Sequence, residues 1–416
     1  MRKRRVGITG IGPVTPIGTG RAVFWEAAKT GRNGLRSLTD LDAFPVTENV
    51  RSRIVAAVSS ADLPDIGFTK ARLPAMCQRA FELAWSDAGM GTDYDPLELA
   101  IVVASAVGAT AAMERSFLMM DQGNELDPGR APADLLAQVS FHTLAHGIAE
   151  QLNAEGPVLT VSTGCTAGID AIGIGAELIR SGRAGTVIVV AAEAPIAPIV
   201  YASFDSIGAL STRNHEPSCA SRPFDKDRDG FVLAEGACAI VLEDLERARD
   251  RKAYVYAEVS GYASVSNAYH MTDLPADGAA LSRCIRECLT DAALQADAVG
   301  LVNAHGSSTP QNDICETNAI KDALGTAKAY RTPVNSLKSM VGHALGASNA
   351  IEIAACALAI EHQFAFPTIN FERPGVGCDL DYVPNTGRSA HIEHLLKLSS
   401  GFSGIHSALV LSHAEL

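Results

Sequence analysis

Nine cysteines are spread along the chain, at 77, 165, 219, 238, 284, 288, 315, 356 and 378. The number is odd, the only close pair is Cys284 and Cys288, and no CxxC occurs. Neither a disulfide framework nor a structural zinc site fits that spacing. Most thiols of this kind are small buried hydrophobes. Cys165 has a different context, Val161-Ser162-Thr163-Gly164-Cys165-Thr166-Ala167-Gly168. There an apolar strand pattern runs into a glycine turn and then a helix of small residues. Exposed N–H groups and the dipole at a helix start favour a thiolate. The same N–H groups can hold the oxyanion formed on a thioester carbonyl. The chemistry on offer is capture of an acyl group, against the plain alternative of a core cysteine.

Four further stretches carry reactive types. His305 ends an apolar run in Val302-Asn303-Ala304-His305-Gly306-Ser307-Ser308-Thr309. A histidine past a buried strand, in a loop of small residues, suits a cleft, and Ser307 and Thr309 could bind the amides of a long substrate arm. It could equally cap its own turn. Asn335-Ser336-Leu337-Lys338-Ser339-Met340-Val341-Gly342-His343 offers a Lys and a His at a helix start. A lysine so close to apolar runs needs a partner, and Glu316 is the candidate, a surface lysine being the alternative. In Ser399-Ser400-Gly401-Phe402-Ser403-Gly404, two glycines flank one aromatic. The Phe402 amide could donate to an oxyanion and its ring could gate a cleft; a plain turn with a core Phe reads the same way. His142 and His146 share a helical face, but Thr143, Leu144 and Ala145 lie between them where a zinc motif needs a Glu, so metal binding is not expected.

These residues need elements to hold them. Short apolar runs at Arg5–Thr9, Leu99–Ala104, Val158–Ser162, Thr186–Ala192 and Ala239–Leu242 read as buried parallel strands. Arg79–Ala88 and Gly168–Arg180 have helical periodicity. A second series follows from Ala253: Tyr254–Gly261, Val299–Ala304, Pro333–Ser336, Leu395–Ser399 and Ala408–Ser412. Strands alternating with helices indicate an α/β fold. Cys165 and His343 each precede a nearly all-apolar helix, which must be buried. Two similar halves, residues 1–252 and 253–416, are therefore expected, each with one central helix.

Composition sets outer limits. With 47% hydrophobic and 19% charged residues, the 416-residue chain can bury a large core, with a partner subunit covering part of its surface. A net charge of -13 disfavours non-specific binding to nucleic acid or anionic lipid. Met1–Arg5 is basic, but no long greasy run follows it and no segment reads as membrane-spanning, so a cytoplasmic enzyme is expected.

With these stretches in place, the chain resembles a β-ketoacyl synthase of the thiolase fold over nearly its full length. The resemblance runs from Val6-Gly7-Ile8-Thr9-Gly10-Ile11-Gly12 to the Gly-Phe-Ser-Gly loop, through Arg222-Pro223-Phe224-Asp225, Arg228-Asp229-Gly230-Phe231-Val232 and Asn267-Ala268-Tyr269-His270-Met271-Thr272. It is most similar to the ketosynthase-alpha subunit of bacterial type II polyketide synthases, through Ala194–Val200, Gln311-Asn312-Asp313 with Glu316-Thr317, and Ile353–Cys356. The resemblance implies a five-layered αβαβα architecture. It implies an acyltransferase that condenses malonyl-acyl carrier protein with a chain held on Cys165, losing CO2. The family's Cys-His-His set falls on Cys165, His305 and His343, its lysine on Lys338 and its glutamate on Glu316. Amides of Cys165 and Phe402 would hold the oxyanion.

No cofactor is implied beyond the phosphopantetheine arm of acyl carrier protein. The implied partners are that carrier and a chain-length factor homologue as a heterodimer, or a second copy. Lys70, Arg72 and Arg79 would flank the carrier's dock, or simply form a solvated helix face. Ala167, Ser308 and Ser403 depart from the branch pattern. Three rivals remain: a homodimeric fatty-acid elongation synthase, a non-catalytic subunit that shapes the acyl tunnel, and a thiolase. A thiolase would need a second cysteine near Ser399–Ser403, where none stands.

Overall fold

The computed structural model describes residues 4–41, 50–63, 72–92, 94–121, 123 and 125–414. Ten strands carry the architecture: β1 (Val6–Thr15), β2 (Leu99–Ala104), β3 (Val158–Val161), β4 (Thr186–Glu193), β5 (Gly236–Asp244), β6 (Ala257–Ser266), β7 (Val299–Asn303), β8 (Val334–Asn335), β9 (His394–Gly401) and β10 (Ile405–Ser412). Their spatial order is β8-β7-β9-β10-β6-β1-β5-β4-β2-β3. From the centre outward, one side runs β1-β5-β4-β2-β3 and the other β6-β10-β9-β7-β8. Each side begins with two antiparallel pairings and ends with two parallel ones. The halves are thus topological copies. They join where β1 pairs antiparallel with β6, Gly7 opposite Glu258 and Ile8 opposite Ala257.

Burial explains why these strands read as unbroken apolar runs. In β4, Val187, Val189 and Ala191 face one core, while Ile188, Val190 and Ala192 face another. A sheet covered on both faces has no polar side to alternate with. Helices α1 (Arg72–Asp87) and α2 (Thr143–Leu152) cover the outer face of the first half, and α4 (Ala279–Asp291) and α5 (Pro310–Leu324) that of the second. Between the sheets lie α3 (Ala167–Arg180) and α6 (Ser348–His362), the latter buried from Ser348 to Ile360. The layers are α, β, α, β, α, as the resemblance implied. Among the described residues, no helix is long and apolar enough to cross a membrane.

Three details differ from the sequence reading. The runs at Arg5–Thr9 and Ala239–Leu242, expected as parallel strands, pair antiparallel as β1 and β5, because apolar content reports burial and not strand direction. The first outer helix begins at Arg72, seven residues before the expected start. The second central helix does not follow a strand and turn directly. A single helical turn, Lys338–Val341, comes first, then Gly342 at φ 68, a 3₁₀ turn at Leu345–Ala347, and α6 from Ser348. Cys165 likewise sits in a 3₁₀ turn, Gly164–Thr166, just ahead of α3.

The two central helices approach at Gly168. A Cβ there would stand 2.7 Å from the Gly346 carbonyl oxygen and 3.0 Å from the Ala350 nitrogen. Both are backbone atoms, so neither can swing away. Gly168→Val should force the helices apart at a cost of about 3 kcal/mol. Urea denaturation compared with wild type checks this; an unchanged midpoint would refute the close-approach account.

Candidate active site

Cys165 is positioned from three directions. β3 delivers the chain to Thr163, and Gly164 adopts φ 64, which glycine takes without penalty. Asn349, in the first turn of α6, donates from Nδ2 to the Cys165 carbonyl at 2.5 Å. The flanking Thr163 and Thr166 hydroxyls donate to the buried Asp170 carboxylate at 2.5 and 2.7 Å. Tyr262 and Ser407, from the second half, donate to the same carboxylate at 2.9 and 2.6 Å. Four hydroxyls on one carboxylate lock the turn to both halves without a counter-ion.

Cys165, His305, His343, Ser307, Thr309 and Phe402 line one cavity of about 310 Å³. The imidazoles of His305 and His343 meet edge to face, centroids 5.2 Å apart. His343 pairs its Nδ1 with the Ser348 hydroxyl at 2.9 Å, and its main chain is bound by Val232 and Ala234. His305 Nδ1 is buried with no partner among the described residues. An unpaired buried donor costs more than an unpaired acceptor, so the tautomer protonated at Nε2 is favoured. Burial, followed by the nearby Lys338 charge, holds both imidazoles well below the usual histidine range. Both are neutral at neutral pH.

Burial also dominates at the thiol, pushing Cys165 up to about 11, although the Lys338 charge and the amides of Phe402 and Cys165 pull it down. The expected helix-start activation is present but outweighed. The resting cysteine is therefore a thiol. In the same cavity the His343 imidazole, whose contact with Ser348 leaves either tautomer open, can accept a proton.

The lysine's partner differs from the expectation. Lys338 Nζ lies 2.5 Å from Glu352 Oε1, in α6, and donates to the His305 carbonyl at 2.9 Å. Glu316 instead accepts the N–H groups of His305 and Gly306 at 2.5 and 2.8 Å. Burial raises Glu316 to about 7, with those amides opposing it. Glu352 and a second buried lysine, Lys397 of β9, were missed. Their signal was present: each is the lone charge in an otherwise apolar stretch, Ile351–Ile360 and Leu395–Leu398. Glu193 was also missed; fully buried, it accepts the Ala106 and Val107 amides and is pushed up to about 8 by burial.

The Phe402 loop closes the cavity. Ser403 holds φ 67, donates its N–H to the Met271 carbonyl at 2.5 Å, and leaves the Phe402 ring tilted on Phe204, centroids 6.3 Å apart. Ser308 holds φ 68, and its Oγ accepts the Arg222 amide at 3.0 Å. Two of the three departures from the branch pattern thus occupy left-handed backbone positions, where glycine costs nothing and serine about 1 kcal/mol.

The basic residues flagged for docking divide. Lys70 lies outside the described residues. Arg72 is a correction: it is buried, 4% exposed, and paired with the fully buried Glu235 and the Val58 carbonyl, so it cannot meet a partner. Arg79 is exposed, 3.7 Å from Glu82. His142 is exposed and pairs through Nδ1 with the Thr160 hydroxyl.

Comparison with known proteins follows the same lines. The family description "Beta-ketoacyl synthase, N-terminal domain" matches residues 3–248, and "Beta-ketoacyl synthase, C-terminal domain" matches residues 256–372. The tetracenomycin polyketide synthase ketoacyl synthase alpha subunit of Streptomyces glaucescens is 44% identical over 99% of this chain and 98% of its own. The 3-oxoacyl-[acyl-carrier-protein] synthase 2 of Coxiella burnetii is 37% identical over 99% of each chain. A solved type II polyketide synthase acyl-carrier protein in complex with its ketosynthase bound to the hexaketide superimposes with TM-score 0.94, at 42% identity and full coverage of both chains. The ishigamide ketosynthase/chain length factor gives TM-score 0.89, at 31% identity over 99% of this chain and 100% of that one.

Two measurements probe the electrostatics. Alkylation of Cys165 by iodoacetamide, followed by mass spectrometry, should accelerate steadily from pH 7 to 10; a plateau by pH 7 would contradict a protonated thiol. Arg72→Met should cost about 3–5 kcal/mol by leaving Glu235 buried and unpaired; wild-type stability with weakened carrier binding would restore Arg72 as a docking residue.

Proposed function

The chain belongs to the β-ketoacyl synthase family, and from that premise we propose how its residues share the reaction. It is a β-ketoacyl-[acyl carrier protein] synthase of type II polyketide biosynthesis, an acyltransferase that lengthens a chain by decarboxylative Claisen condensation. One observation carries the assignment of roles: Cys165, His305, His343 and Phe402 line one cavity, where burial favours the neutral form of the thiol and of both imidazoles.

Cys165 sulfur attacks the carrier's acyl thioester, its proton passing through an imidazole to the departing pantetheine thiol. The amides of Cys165 and Phe402 stabilise the tetrahedral oxyanion. Malonyl-carrier then enters, its arm lying along Ser307 and Thr309. His305 and His343 donate Nε2–H to its thioester oxygen. Loss of CO2 leaves the bond's electron pair on carbon as an enolate held by those two donors. The enolate carbon attacks the Cys165 thioester; the C–S bond breaks, and the expelled thiolate takes up one proton from solvent to restore the resting thiol. Lys338 and Glu316 do not touch the substrate. They hold the His305 backbone from opposite edges. This scheme calls for no metal or cofactor beyond the carrier's arm.

The carrier protein is one partner and a chain-length factor homologue the other. Apolar surface supports the second: Met113, Phe117, Leu118 and Leu136 are exposed on two helices that pack on each other, and Leu159 is exposed on the open edge strand β3. A face of that composition suits burial against a subunit. The cytoplasmic location belongs to the same proposal.

Cys165→Ala should abolish covalent loading of an acyl group, read by intact-protein mass spectrometry. His305→Ala and His343→Ala should keep loading and lose condensation by at least about a hundredfold. A covalent adduct on Cys165→Ala, or wild-type condensation in either histidine variant, would overturn the roles. Condensation by the purified chain alone would favour the homodimeric fatty-acid reading.

A further inference from the structure

Lys397 plays no part in the scheme above, yet it is fully buried beside it. Its Nζ stands 2.7 Å from Glu352 Oε2, donates to the Leu398 carbonyl at 2.7 Å, and lies 3.4 Å from the Ala304 carbonyl. The contact with Glu352 is an ion pair without hydrogen-bond alignment. Lys338 holds the other oxygen of the same carboxylate and the next carbonyl, that of His305. Consecutive carbonyls, 304 and 305, therefore face two ammonium groups, while consecutive amides, 305 and 306, face Glu316. The His305 ring has no hydrogen bond at Nδ1, so its aim depends on this clamp and on the edge of His343.

Burying an ammonium costs several kcal/mol, whereas an apolar side chain would fill this strand position at no such cost. Two ammonium groups share one carboxylate, which leaves positive charge beside both imidazoles. The ionisable groups around His305 are Lys338 on the short helix, Lys397 and His406 on β9 and β10, His343, Glu316 on α5 and Glu352 on α6. Burial takes His406 to about 4, so it is neutral and adds no charge.

We propose that Lys397 is a positioning residue of the condensation step, sharing Glu352 with Lys338 so that their excess charge keeps His305 and His343 neutral and their carbonyl contacts keep His305 aimed into the cavity. The inference rests on the donor roles given to the two histidines. A neighbouring positive charge disfavours the imidazolium form. An imidazolium would still donate, but it would also give its proton to the enolate and quench it before attack on the Cys165 thioester. Condensation is therefore present above the imidazole pKa and lost as pH falls through it; removing a positive neighbour moves that loss to higher pH.

The test follows formation of the condensation product from malonyl-carrier protein against pH, with CO2 release and Cys165 acylation measured alongside. Lys397→Met should shift the acid limb upward by about one pH unit, a tenfold loss on that limb, while acylation continues. Lys397→Arg should keep the wild-type limb. Glu352→Gln should move it the opposite way, to lower pH. A uniform loss at every pH in Lys397→Met, or the same shift in Lys397→Arg, would overturn the proposal.

Imidazole NMR of the wild-type protein reads the same quantity without relying on a variant that folds. His305 and His343 should titrate well below the ordinary histidine value, and titration of either at or above the ordinary 6.5 would also overturn it. If wild-type protein releases no CO2, the assigned reaction fails. The displacement of the His305 titration between wild type and Lys397→Met still decides the present point.

Discussion

The close crossing of α3 and α6 at Gly168 is the contact on which the site depends. It lets two helices buried on every side lie together between two sheets. Cys165 stands just ahead of one helix and His343 just ahead of the turn into the other. A single side-chain carbon at residue 168 would separate them. Asn349 and Asp170 then tie the cysteine's turn across the junction between halves. Cys165 and the two histidines therefore come from different halves, and neither half holds all three.

Placing this set between covered sheets has one electrostatic consequence, expressed differently by each group. Desolvation penalises whichever form is charged. It keeps Cys165 protonated, both histidines neutral, and lifts Glu193 and Glu316. For the histidines this suits the proposed roles, because a neutral imidazole can donate to a thioester oxygen and carries no surplus proton to quench the enolate. For the cysteine it is a barrier, offset in part by Lys338 and the Phe402 and Cys165 amides. Carboxylates that remain in the core are held by amides, hydroxyls or lysines, as the cost of an unpaired buried charge requires.

Much of this was legible in the amino-acid order. Apolar runs marked the strands because both sheet faces are covered, and all-apolar helices marked the central layer because no other environment accepts them. Cys165, His305, His343, Ser307, Thr309 and Phe402 stood at strand ends and glycine turns, where backbone leaves the core and side chains reach a cavity. Such signals are local, and a linear reading recovers them.

Pairing between distant residues was not legible in this way. Lys338 was matched to Glu316, yet it meets Glu352, fourteen residues on and one helix away. Arg72 looked like a surface cation, yet Glu235, 163 residues distant, draws it inside. Lys397 stands out in the sequence only as a lone charge in an apolar strand, and the carboxylate that accounts for it lies in another layer. Charge partners are set by which faces of separate layers meet, and sequence spacing carries no record of that. The sequence by itself determined the layers and the residues that meet in the cavity. The tertiary structure alone decided which charges are shared, and so which protonation states the site holds, because desolvation and ion pairing exist only once the two sheets close over the central helices.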